Sequence, residues 1–313
     1  LRDTEKLVFS VLLKKELKRR IIMGISVALI KELRERTGAG MMDCKSVLQE
    51  ADGDIEKAIE IMRKSGQAKA VKKAGRIAAE GVVKVKLENG KVAMIEVNSE
   101  TDFVARDETF DRFTTAVVES VLANNLTDIA QVNEATLASF EGKTVEEARH
   151  SLVATVGENI TVRRVAFIAS DNVLGMYQHG AKIGVVVELD GGDEELAKDI
   201  CMHVAASAPE VISSEDVSDE RLEKERRVVT TQAQESGKPK DIVEKMVEGR
   251  IKKFVGEISL LGQAFVKNPE MTVGELIKGK AKVLRFYRFE VGEGIDKRED
   301  DFAKEVMAQV QGD

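Results

Sequence analysis

The chain has 313 residues, 43% hydrophobic and 33% charged, with 48 Lys and Arg against 55 Asp and Glu and a formal charge of −7. That is enough apolar material for about two modest domains and too much for a disordered chain, and the acidic balance disfavours primary nucleic-acid binding unless basic residues cluster. Two cysteines (Cys44, Cys201) and three histidines (His150, His179, His203) supply neither a disulfide framework nor zinc spacing, and no apolar run reaches the ~18 residues of a membrane span. A soluble, cytoplasmic chain without metal or cofactor is expected.

Residues 1–22 precede Met23 and carry seven Lys or Arg against three acids, the reverse of the whole chain. They read as an addition upstream of a natural start at Met23. An organellar targeting peptide and a surface amphipathic helix are the alternatives. Asp3, Glu5 and Glu16 argue against a transit peptide. The stretch is left out of the fold.

Residues 26–66 read as three short helices. Ser26 can cap the first, which carries Leu29, Ile30 and Leu33, and Gly38-Ala39-Gly40 stops it. Met42, Val47 and Leu48 mark the second. Asp54 caps the third, where Ile55, Ala58, Ile59 and Met62 fall on one face, and Gly66 is expected to end it. About 40 residues in three helices suit a docking module. Lys69, Lys72, Lys73 and Arg76 follow on a helical stretch that reads as a solvated linker, because no aromatic interleaves to stack on bases.

The next segment is β structure. Val83, Val85 and Leu87 alternate, Asn89-Gly90 signals a hairpin, and Ala93, Ile95 and Val97 alternate on the return. Ser99-Glu100-Thr101-Asp102-Phe103-Val104-Ala105 then precedes a helix from about Asp107 with Phe110, Phe113, Val117 and Val121 along one side. The order recurs. A strand at Val173–Tyr177, a turn at Gln178–Ala181, a strand at Lys182–Asp190 and a helix from Asp193 repeat it, and setting Lys91–Val97 against Lys182–Glu188 brings out a weak internal repeat. The first copy carries five more residues between strand and helix, and long loops on a rigid scaffold are where function tends to sit.

Residues 211–258 read as an antiparallel coiled-coil arm. Ser218 caps its first helix, Ser236-Gly237-Lys238-Pro239 breaks it, and Val247, Ile251, Phe254 and Ile258 form the returning seam. Such an arm is a contact device for oligomerisation or plain structural filler. An alternating strand at Val283–Val291 is expected to join the second sheet, and a last helix carries Phe302, Val306 and Val310.

No active site emerges. Gly142-Lys143-Thr144 imitates a phosphate loop, but Leu137 stands where the spacing needs glycine; Gly292-Glu293-Gly294 imitates a dinucleotide run, but Lys297 fills the third glycine position. His150 reads as exposed and His203 as a satisfied, half-buried residue. No carboxylate pair announces acid–base work. The chain is not expected to be an enzyme.

Five phrases together resemble the bacterial elongation factor Ts family: Val27–Lys45, Glu96–Ala105, Val156–Arg164, Leu174–Gly184 and Gly256–Val266. The likeness runs from Met23 to the C-terminus, and Thr101-Asp102-Phe103-Val104 with Tyr177-Gln178-His179-Gly180 is its most specific part. It implies an α+β fold with a three-helix ubiquitin-associated-like module (23–76), two repeated α/β core subdomains (77–172, and 173–210 with 259–294), the coiled-coil insertion (211–258) and a C-terminal helical module (295–313).

It further implies a guanine-nucleotide exchange factor for elongation factor Tu that binds the GDP-bound and nucleotide-free partner. Thr101, Asp102, Phe103 and Val104 would enter the partner's G domain and disturb its Mg²⁺ site. His179, with Gln178, would disrupt its phosphate-binding loop. Leu33, Arg34, Thr37, Gly38, Met41 and Met42 would dock the amino-terminal module, and the coiled coil would contribute to self-association or to contacts within the complex; membrane and direct nucleic-acid contact are not expected. Read alone, Phe103 is a wedge or a core residue below the loop; the resemblance favours the wedge. Asp102 would act on charges around the metal or satisfy partner donors. Ala264 departs from the family, which commonly has proline there, and its loss is expected to loosen the approach to the last strand. The rival reading is a coiled-coil adaptor or chaperone-like protein with weak nucleic-acid contact through Lys69–Arg76.

Overall fold

A computed structural model describes residues 25–37, 39–235 and 239–296. The stretch 1–22, Gly38, the break at 236–238 and the expected last helix at Phe302–Val310 lie outside the described residues. Three helices open the described residues: α1 (Val27–Thr37), α2 (Met41–Glu50) and α3 (Ile55–Lys73). Ser26 caps α1 through the Leu29 amide and Asp54 caps α3 through the Lys57 amide. Ile30, Leu33, Cys44, Leu48, Ala51 and Ala58 close a core belonging to these helices alone. Gly66 does not end α3, which continues to Lys73. A Cβ at Gly66 would lie 3.3 Å from the His150 carbonyl oxygen, so the glycine lets α3 lie close against helix α7 (Val145–Val156).

The centre is four layers deep. Strands β1 (Glu80–Glu88), β2 (Lys91–Ser99) and β3 (Thr161–Ala169) form one antiparallel sheet; β4 (Val173–His179), β5 (Ile183–Gly191) and β8 (Ala281–Glu290) form a second. Asn89 and Gly90 both take positive φ in the β1–β2 turn, as a two-residue hairpin demands. Outside the first sheet pack α5 (Glu108–Asn124), α6 (Ile129–Glu134) and α7; outside the second packs α8 (Glu194–Ser207) with the short α11 (Val273–Ile277). The two sheets meet face to face through Val83, Val92, Met94, Ala166, Ile168, Leu174, Val186 and Phe289. Val92 and Met94 enter this inter-sheet core while Ala93, Ile95 and Val97 face α5, so β2 is buried on both faces rather than one.

This packing corrects the repeat. Val185, Val187 and Leu189 of β5 face helices as Ala93, Ile95 and Val97 do. The equivalent of Val92 is therefore Gly184, and aligning Lys91 with Lys182 is one residue out of register. A one-residue slip would turn each side chain to the opposite face. In the corrected register Glu96 matches Glu188. Each is buried, each lies opposite an arginine of the next strand (Arg164, Arg285), and each is followed at once by a register shift. The shift after Glu188 also breaks the alternation expected of β8. Val283 and Phe286 pack beneath α8 while Phe289 points between the sheets.

Two glycines allow the layers to approach. A Cβ at Gly184 would lie 2.4 Å from Val83 Cγ1, and one at Gly175 would lie 2.8 Å from the Ala197 backbone in α8. Backbone cannot move aside as a side-chain tip can. Gly175→Ala is therefore expected to cost about 1–3 kcal/mol of stability, read as a lowered midpoint in urea unfolding; an unchanged midpoint would show that α8 can retreat freely.

The arm comprises α9 (Asp219–Gln234) and α10 (Lys240–Ile258). Its seam is Val229, Ala233, Val243, Val247 and Ile251, with Leu222 and Val255 beside it. Phe254 leaves the expected seam and lies under the Arg221 guanidinium, 4.7 Å from its ring centre. Ile258 reaches the body of the protein, where its carbonyl accepts from the Glu210 amide. A small hairpin of β6 (Ala264–Phe265) and β7 (Asn268–Thr272) leads back to the second sheet through α11.

Candidate functional site

Eight residues separate β2 from α5, where two separate β5 from α8. The longer connection folds into a single turn, α4 (Asp102–Ala105). Thr101 caps it, its hydroxyl accepting from the Val104 amide, and Val104 points down into the first core. Asp107 then caps α5 through the Thr109 and Phe110 amides. Between these anchors Phe103 stands 82% exposed. It is not a core residue below the loop. A large aromatic so exposed on a fixed turn is an unsatisfied apolar surface, unlike the scattered exposure of a flexible chain. Asp102 is half-buried, and its carboxylate lies 2.8 Å from the Arg106 guanidinium one turn on.

Gln178 and His179 are the last residues of β4 rather than part of the turn, which begins at Gly180. Both are exposed. The Gln178 amide donates to the Gly180 carbonyl at 3.0 Å, and the Tyr177 hydroxyl is 3.1 Å from His179 Nδ1. The turn is fastened to the first sheet: the Ala181 carbonyl accepts from the Val83 amide, and Lys182 pairs with Glu80 at 2.5 Å. Glu80 lies opposite Ser99, which leads into Thr101. The α4 turn and the His179 turn therefore both border the first residues of β1.

In the amino-terminal helices, Arg34, Met41 and Met42 are exposed, the methionines by 50% and 75%. Thr37 is half-buried, its hydroxyl donating to the Leu33 carbonyl at 2.6 Å. Leu33 is 0% exposed and belongs to the module's own core, so it supports an outer face from beneath and cannot form one. Val27, 72% exposed, is an apolar residue of α1 that the sequence reading passed over. Gly38 lies outside the described residues.

The other reactive side chains have structural surroundings. Burial pushes the Cys201 and Cys44 thiols up, which favours the thiol over the nucleophilic thiolate. His203 is wholly buried: its Nε2 meets Gln263 Oε1 at 2.9 Å and its Nδ1 accepts from the Val266 amide, and burial holds it below the usual imidazole range. His150 is half-buried beside Glu146 rather than exposed. Among the described residues no group of three or more His, Cys, Asp or Glu is placed to hold a metal ion, and no helix is long and apolar enough to cross a membrane. The basic run after Gly66 is divided. Lys73 donates to the Gly157 carbonyl and Arg76 to Glu100, while Lys69 and Lys72 face water.

Comparison with known proteins addresses the same region. A family model described as "Elongation factor TS" matches residues 100–293, from just before the α4 turn to just after β8. A protein named "Elongation factor Ts" from Idiomarina loihiensis is 58% identical over 289 residues, covering 92% of this chain and 98% of its own length. One of the same name from Thioalkalivibrio sulfidiphilus is 56% identical over 295 residues, covering 93% and 100%. Another from Francisella tularensis subsp. novicida is 57% identical over 290 residues, covering 92% and 99%.

Proposed function

Since the chain belongs to the elongation factor Ts family, we propose that it promotes GDP release from elongation factor Tu by driving Phe103 into the partner's G domain. It is a guanine-nucleotide exchange factor of translation elongation. Exchange makes and breaks no covalent bond, so the chain needs only to bind and reshape its partner. The observation that carries the wedge is the 82% exposure of Phe103 on a turn fixed at both ends.

The thermodynamics are those of linkage. A factor that weakens nucleotide binding is itself bound more weakly by the nucleotide-loaded partner, by the same ratio. The wedge must therefore gain more from a conformation that has lost Mg²⁺ and phosphate contacts than from the intact one. Burying one phenylalanine supplies about 1.5–3 kcal/mol, or roughly one to two orders of magnitude in relative affinity. Asp102 brings a carboxylate beside the wedge, already balanced by Arg106, so it would enter the partner's charge network with its counter-ion attached.

His179 and Gln178 act from the second core half on the phosphate-binding loop, and Arg34, Thr37, Met41 and Met42 offer the docking face of a ubiquitin-associated-like module at 23–76. The division at 77–172, 173–210 with 259–294, 211–258 and 295–313 completes this reading, with the arm available for self-association and the work placed in the cytoplasm. Mixing the chain with elongation factor Tu loaded with labelled GDP tests it: GDP loss should accelerate with the concentration of the chain. A rate equal to the spontaneous one would leave the adaptor reading in its place. His179→Ala should slow stimulated release less than loss of Phe103 does, since it removes a polar contact worth about 0.5–1.5 kcal/mol. Release at the parent rate would take His179 out of the mechanism.

A further inference from the structure

The Phe103 turn is held from outside its own segment by the loop between α7 and β3. The Thr101 hydroxyl donates to one carboxylate oxygen of Glu158 at 2.6 Å, and the Thr101 amide donates to the other at 3.0 Å. Both oxygens of one carboxylate thus engage one residue, 57 positions earlier in the chain. The neighbour, Asn159, does the same work on either side. Its amide donates to Glu100 at 2.6 Å, and its side-chain amide donates to the Arg76 carbonyl at 2.8 Å at the exit of α3. Gly157 accepts from Lys73 and takes positive φ to end α7 and aim the loop. Residues 157–159 therefore grip the exit of the amino-terminal module with one hand and the start of the Phe103 turn with the other.

We infer that Glu158 is a positioning residue for nucleotide exchange: its bidentate hold on Thr101 fixes the turn that presents Phe103. The inference rests on the wedge reading of Phe103. The physical need is plain. An exposed phenylalanine on a four-residue helix would otherwise fold back on the surface, and each partner encounter would have to order it again. Two charge-assisted bonds to adjacent donors fix direction as well as distance. The Glu158 carboxylate is bonded to Thr101, so it acts on Phe103 through the turn.

The test uses the full chain with elongation factor Tu·GDP. Glu158→Ala and the isosteric Glu158→Gln are compared with the parent. Two quantities are read: the maximal stimulated release rate against the half-saturating concentration, and hydrogen exchange of the Thr101 amide. Glu158→Ala is expected to lower the maximal rate by roughly five-fold or more, to leave the half-saturating concentration near the parent value because docking lies elsewhere, and to expose the Thr101 amide. Glu158→Gln should fall between the parent and Glu158→Ala. A lowered rate with Thr101 still protected overturns the inference. So does a loosened Thr101 with release at the parent rate. In that case Phe103→Ala in the same assay locates the fault: a silent Phe103→Ala condemns the wedge itself, an impaired one condemns only the hold. If Glu158→Ala fails to fold, Glu158→Gln carries the same outcomes.

Discussion

Phe103→Ala is expected to slow stimulated GDP release by about one to two orders of magnitude while thermal unfolding of the protein stays where it was. The two halves of that result come from the same fact. Phe103 is the most exposed of the large apolar side chains in the described residues, so truncating it removes little that holds the fold together. Its neighbours carry the local structure: Thr101 caps the turn and Val104 fills the core beneath. Whatever the phenyl ring contributes is contributed to the partner. Stopped-flow release of labelled GDP gives the first quantity and a melting curve the second. Full activity with an unshifted melt would refute the wedge, and lost activity with an early melt would show that the ring is structural after all.

Glu96→Ala should have the opposite profile, with a loss of about 2–3 kcal/mol of stability. Glu96 is wholly buried at the edge of the inter-sheet core. It accepts from Arg163 at 3.1 Å, Arg164 at 2.5 Å, Asn98 at 3.0 Å and the Gly292 amide at 2.9 Å. Removing the carboxylate strands the Gly292 amide and leaves the Asn98 side-chain amide only the Glu80 carbonyl, while Asn98 Oδ1 already has no partner among the described residues. The arginines are about a quarter exposed and can turn to water, which keeps the loss below that of a fully enclosed pair.

The same site contributes to the acid limb of stability. Burial raises the Glu96 carboxyl, but the Gly292, Asn98 and Arg164 hydrogen bonds outweigh it and hold the group below the usual carboxylate range; Glu188 behaves alike through Ser170, Asn172 and Arg285. A carboxyl depressed in the folded state contributes stability above its unfolded value of about 4.3, lost as pH falls through the lower folded value. His203 and His150, both depressed by burial, add a loss that begins below the ordinary imidazole value of about 6.5, where the unfolded chain takes up protons more readily than the folded one. Melting temperature against pH should therefore fall in two stages. Glu96→Gln should flatten the lower one and leave the upper. A single stage near neutrality would mean that the glutamates are not held as the hydrogen bonds indicate.

The sequence was informative wherever a local rule governs. Caps at Ser26, Asp54, Asp107, Asp193 and Ser218 fall where short polar side chains precede apolar periodicity. Asn89-Gly90 placed its hairpin, and unequal spacing between strand and helix marked the α4 connection as the one to examine. Failures occurred where two elements meet. Gly66 looked like a stop because glycine is a poor helix former, yet it is a contact point for α7. Phe254 looked like a seam residue because of its spacing, yet Arg221 of the facing helix covers it.

The phrases that carry the family likeness include Glu158, but nothing in their spacing says that its carboxylate reaches Thr101. By itself, then, the sequence determined the three opening helices, the β1–β2 hairpin, β4, β5, β8, α5, α8, the arm, the long connection that carries Phe103 and the family likeness, while β3, β6, β7, α6, α7 and α11 carried no signal that was read. Tertiary structure alone decided that two sheets lie face to face, that the repeat is in register Val92 to Gly184, and that Glu158 holds the Phe103 turn. The physical reason is range. Capping, turn conformation and amphipathic period are settled within a few residues of chain, whereas which face is buried, and which carboxylate meets which hydroxyl, depends on surfaces that only folding brings within a few ångströms.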